Sequence, residues 1–99
     1  MSRAAADDPV IRQLREQISA LDRSILDAVN ERLQLVEKIK AYKDSRGLDF
    51  HDPDREASML KELKRANRGP LSAEGVRELI HTIVDLSKRE VTRDGSDGS

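Results

Sequence analysis

Residues 8 to 46, DPVIRQLREQISALDRSILDAVNERLQLVEKIKAYKDSR, decide the fold. The stretch opens on Asp8, whose carboxylate can accept from free helix N–H groups, and on Pro9, whose φ is already helical. Neither Gly nor another Pro interrupts it before Gly47. At about 1.5 Å per residue it predicts a helix on the order of 50 Å long. Apolar residues recur three and four apart: Ile11, Leu14, Ile18, Leu21, Ile25 and Ala28, then Leu35, Ile39 and Tyr42. A second row, Leu26, Val29, Leu33 and Val36, runs beside the first. A helix with so wide an apolar face needs another helix along it, and a second copy of the chain is the expected partner.

Working outward, Asp52 and Pro53 repeat the same start signal, and Asn67, Gly69 and Pro70 mark a stop. The helix between them is polar, with Met59, Leu60 and Leu63 as anchors. A third helix is expected from Ser72 to about Glu90, burying Val76, Leu79, Ile80, Ile83 and Val84. No segment alternates as a strand would. The expected fold class is all-α, one long helix and two shorter ones. Residues 8–91 form the domain, and the polar stretches 1–7 and 92–99 read as flexible ends.

Composition narrows the chemistry. Ninety-nine residues make one domain, and 36% apolar content against 37% charged makes a lone stable monomer a poor expectation. The absence of Cys removes disulfides, thiolate ligands and a thiol nucleophile, and two His are too few for zinc without carboxylates. A net charge of -1 gives no nucleic-acid surface. No apolar run reaches the roughly 18 residues of a membrane span, so a soluble, cytoplasmic protein is expected.

Charges that break the apolar rows are the informative residues. Arg32 takes the slot after Ala28 where Ile or Leu is expected, and the neighbouring row continues from Val36 to Lys40 and Lys43. A half-buried guanidinium requires an anion. Either the charge pairs with a carboxylate of another helix or snorkels to solvent, or its anion is the carboxylate of a ligand held bidentately. On the third helix the row reaches Ser87, whose hydroxyl either bonds the carbonyl four residues back or faces the same pocket. Asp52, Arg55 and Glu56 cluster at the start of the second helix; Asp52 reads as a cap, and Glu56 lies one turn in. Together these describe a cationic cavity with one or two carboxylates, suited to a small dianion. They contain no triad, metal cluster or phosphate-cradling glycine loop.

The run from Leu14 to Arg23, LREQISALDR, with Asn30-Glu31-Arg32 and the Lys40 to Lys43 end, resembles the first helix of the AroQ-type, all-helical chorismate mutases. Phe50 to Glu56, FHDPDRE, resembles the start of their second helix, and a third helix with Ser87 near its end fits as well. The likeness covers residues 8 to 91. It implies an intertwined homodimer whose long helices pair and whose two sites are shared between chains. By resemblance, Arg15 reaches into the partner's site and Arg32 binds a substrate carboxylate. Lys43 contacts a carboxylate and the ether oxygen. Asp52, Arg55 and Glu56 surround the ring hydroxyl, with Glu56 accepting its hydrogen bond, and Ser87 helps hold a carboxylate. Family members commonly carry Gln or Glu four residues after that Ser; here the residue is Val91, preceded by Glu90. A helix rotation that brings Glu90 to the ether oxygen would require it protonated.

The reaction so implied, chorismate to prephenate, transfers no proton and uses no cofactor. Selecting the compact conformer and stabilising charge on the breaking C–O bond are tasks for cationic clamps. Two alternatives stand beside it. One is an isochorismate pyruvate lyase on the same scaffold; the other is a non-catalytic dimerising or regulatory module. A shikimate-pathway enzyme is a possible partner.

Overall fold

A computed structural model describes residues 7–93. Three α-helices follow in order: α1 (Pro9–Arg46), α2 (Pro53–Ala66) and α3 (Ala73–Val91). No residue from 7 to 93 is in a strand. The chain divides into two compact units, Met1–Arg32 and Leu33–Ser99.

In the first unit Asp8 caps α1 as its position predicts. Its Oδ1 accepts from the backbone N–H of Val10 at 2.8 Å and of Ile11 at 3.2 Å, while Pro9 needs no partner there. The apolar stripe of this part of α1 is uncovered: Leu14 is 51% exposed and Ile25 61%. The spacing that announces a buried seam is present, and no described residue of this unit covers it.

The second unit begins with the last turns of α1. Gly47 adopts φ +67 and ends the helix. Its N–H meets the carbonyl of Asp44 at 3.3 Å, and the Leu48 N–H reaches back to that of Lys43 at 2.8 Å. This closes the exposed carbonyls through a left-handed residue that glycine adopts without steric cost. Asp52 caps α2, accepting from the Arg55 N–H at 3.0 Å. At the other end the Asn67 N–H bonds Leu63 O at 3.0 Å. Ser72 caps α3 by accepting from the Gly75 N–H at 3.0 Å.

Helices α2 and α3 pack on each other. Val76 and Ser87, each 5% exposed, are the buried residues among those described. Ile80, Ile83 and Val84 are half-buried. Leu79, expected in the core, is 49% exposed, because the α2 contact covers only part of the α3 stripe. The expected flexible ends at 1–7 and 92–99 lie largely outside the described residues. Among the described residues no helix is long and apolar enough to cross a membrane.

Candidate active site

A groove of about 370 Å³ lies between α2 and α3. That is within the roughly 300–1,000 Å³ usual for small-molecule sites. Its apolar part comes from Ala57 and Leu60 of α2 and from Ile80 and Val84 of α3. Its polar part comes from Glu56 of α2 and from His81, Asp85 and Lys88 of α3. The side chains of Glu56 and Lys88 meet across the groove, Lys88 Nζ to Glu56 Oε1 at 2.6 Å, and each remains about a third exposed (32% and 33%). The N-cap at Asp52 sets the register that brings Glu56 to this side of α2: its backbone N–H is the first to bond Asp52 O, at 3.1 Å.

The other expected residues of this unit lie nearby in sequence but make separate contacts. Lys43, half-buried on the last turn of α1, donates to the Phe50 carbonyl at 3.4 Å. Lys40 pairs with Asp44 one turn on in the same helix, at 2.7 Å, and not with a carboxylate of another helix; it lies 5.8 Å from the Phe50 ring centroid. Arg55 is exposed, and Asp52 acts as the cap it was read to be. Ser87 is buried and donates to the Ile83 carbonyl at 2.7 Å, the local bond that a helical serine most often makes. Glu90 is half-buried and ion-paired with Arg93, 3.1 Å from Oε2 to the guanidinium. Val91, also half-buried, closes α3 without a polar group.

In the first unit Arg15 is exposed and lines a shallow depression on α1 with Arg12, Glu16, Ser19 and Arg23. These residues recur at helical spacing along one face, so three guanidiniums share one side of the helix. Arg32, at the end of this unit, is half-buried. At the start of α3 the Arg77 guanidinium hydrogen-bonds Glu74 and holds its carboxyl below the ordinary carboxylate range. Among the described residues no three of His, Cys, Asp and Glu are grouped to hold a metal ion.

Sequence reasoning missed the groove residues His81, Asp85 and Lys88, of which Lys88 is the one ion-paired with Glu56. Its signal was available: the row Ile80, Val84 leads four residues on to Lys88, a charge on an apolar row of the kind that singles out Arg32. Following only the neighbouring row, which ends at Ser87, passes it by.

Residues 14–91 match the family described as Chorismate mutase type II. The structure is similar to the solved chorismate mutase of Thermus thermophilus. Its form II has a TM-score of 0.82 and 34% identity, covering 85% of this chain and 96% of that one. Form I has a TM-score of 0.77 and 36% identity, over 78% and 96% of the two chains. The bifunctional chorismate mutase/prephenate dehydratase of Pseudomonas aeruginosa is 31% identical over 84 residues, 80% of this chain and 23% of that protein. The T-protein of Enterobacter agglomerans is 40% identical over 78 residues, 78% of this chain and 20% of that protein. The chain thus spans about a quarter or less of the length of these two relatives.

Proposed function

From the chain's membership of the chorismate mutase type II family, we propose that it catalyses, in the cytoplasm, the rearrangement of chorismate to prephenate. The observation that carries this reading is the likeness to the Thermus enzyme, which extends over 96% of that chain. The reaction breaks one C–O bond and forms one C–C bond within a single molecule. It needs no acid, base or redox partner, so the protein's work is conformational selection and charge stabilisation.

The working unit in this proposal is a homodimer with two shared sites. Its support is the uncovered stripe of α1, with Leu14, Ile18, Leu21 and Ile25 all more than half exposed. Arg32 and the partner's Arg15 clamp the two substrate carboxylates, which draws the reacting carbons together. Lys43 exchanges the Phe50 carbonyl for a carboxylate and the ether oxygen, where negative charge grows as the C–O bond lengthens. Asp52, Arg55 and Glu56 surround the ring hydroxyl, and Glu56 accepts its hydrogen bond. Ser87 donates to a carboxylate after turning from Ile83. Glu90 serves the ether oxygen only by releasing Arg93. A Glu90→Gln variant that leaves the rate unchanged removes it from the site. Relatives that join a chorismate mutase to a prephenate dehydratase support a partner that consumes prephenate.

The test is the loss of chorismate absorbance on adding purified protein, with the product identified. Prephenate is the expected product. No turnover by a verified helical dimer would overturn the proposal, and pyruvate release from isochorismate would replace it with the lyase.

A further inference from the structure

The Glu56–Lys88 pair does more in this groove than join two helices. An exposed or half-exposed ion pair contributes about 0–1 kcal/mol to stability, too little to explain a charge on the apolar row of α3. Its remaining hydrogen-bonding capacity is the informative feature. Lys88 carries three N–H donors, and its ammonium is ion-paired with Glu56 Oε1 alone among the described residues. Among the described residues no other protein contact of the Lys88 ammonium or the Glu56 carboxylate is within hydrogen-bond range. Both head groups are about a third exposed, at 32% and 33%, and both line the groove beside Leu60, Ile80 and Val84. The site therefore offers a paired acceptor and donor beside an apolar floor, with His81 and Asp85 also on the groove lining. A hydroxyl group, one donor with two lone pairs, is complementary to that arrangement, and an ether or a bare C–H is not.

We propose that Lys88 is a further specificity-determining residue: with Glu56 it grips the substrate's ring hydroxyl from both sides, Glu56 accepting its hydrogen and Lys88 donating to its oxygen. This rests on the reading of the chain as a chorismate mutase with Glu56 at that hydroxyl, and adds to it a cation that position 88 supplies. Rejection of an analogue without the hydroxyl follows, because two charged groups would lose water and gain no partner.

The experiment compares chorismate with its analogue bearing hydrogen in place of the ring hydroxyl, on wild type, Lys88→Met and Lys88→Arg. For Lys88→Met, kcat/KM on chorismate should fall about 10- to 100-fold, the range of a hydrogen bond to a charged group, and change less than about twofold on the analogue. Lys88→Arg, which keeps a donor, should recover most of the loss. An equal loss on both substrates, or none on chorismate, overturns the proposal. A second measurement needs no variant: the Lys88 ammonium resonance of the wild-type protein, followed by NMR, should move on adding prephenate, which keeps the hydroxyl. It should stay in place with the deoxy counterpart. Absence of a prephenate shift overturns the assignment. Wild-type protein that leaves chorismate unchanged yet shows the shift would sink the proposed activity while leaving the Lys88 contact standing.

Discussion

Val91 ends α3 with a branched hydrocarbon, half-buried and four residues after the buried hydroxyl of Ser87. One helical turn separates the two positions, so a donor at 91 would share the face that holds Ser87. With Val there, the proposed site leaves Lys43 as the main donor to the ether oxygen, and a preorganised donor of this kind is worth about 10²- to 10³-fold in rate. Installing one should therefore recover part of that factor. Val91→Gln is expected to raise kcat about tenfold or more with little change in KM, because the gain belongs to the transition state. Steady-state kinetics on chorismate checks it, and an unchanged kcat would mean that position 91 does not face the reacting oxygen. Ser87 shows the limit of reading at this scale. Its place on the inner face is visible from spacing, but its hydroxyl bonds Ile83 in the absence of substrate, and no pattern of residue types distinguishes that bond from a ligand's.

At the scale of the element, the helix limits are the most legible feature because each rests on local chemistry. Asp8-Pro9, Asp52-Pro53 and Ser72 all cap as their side chains allow, and Gly47 stops α1. For Lys88 only the break in the apolar row is legible; its pairing is not, since that depends on Glu56 from another helix lying 2.6 Å away. Local patterns show where a helix begins and which face is apolar. They do not show which charge on α3 meets which charge on α2. Gly47 gives this scale its test. A Cβ added there meets nothing within 4 Å, so the penalty for alanine is purely the φ of +67. Gly47→Ala should destabilise by about 1 kcal/mol. Gly47→Asn should lose less, since Asn enters the left-handed region more readily. Urea unfolding at matched protein concentration measures both. Equal stability of Ala and wild type would mean that the α1 terminus relaxes out of the left-handed turn.

The whole molecule poses a question that neither a residue nor a helix answers: why a 38-residue helix has no buried residue. Leu14, Ile18, Leu21, Ile25, Leu35, Ile39 and Tyr42 are each more than half exposed, far more apolar surface in one row than a soluble monomer usually presents. A second copy paired along α1 would cover it and would also complete the site, since Arg15 in the proposed arrangement serves the partner. The two claims are tested together by mixing. Arg15→Ala and Arg32→Ala chains should each be inactive alone, because every site then lacks one carboxylate clamp. In a heterodimer with shared sites, one site loses both arginines, and the other takes Arg15 from one chain and Arg32 from its partner and is intact. A random one-to-one mixture makes about half its dimers heterodimers, so activity should return to about one quarter of wild type per chain. Sites built within single chains would return none. Unfolding and refolding the variants together, with heterodimer content measured by native mass spectrometry, separates failure to exchange from failure to share. Activity that rises in proportion to the heterodimer fraction is what shared sites require.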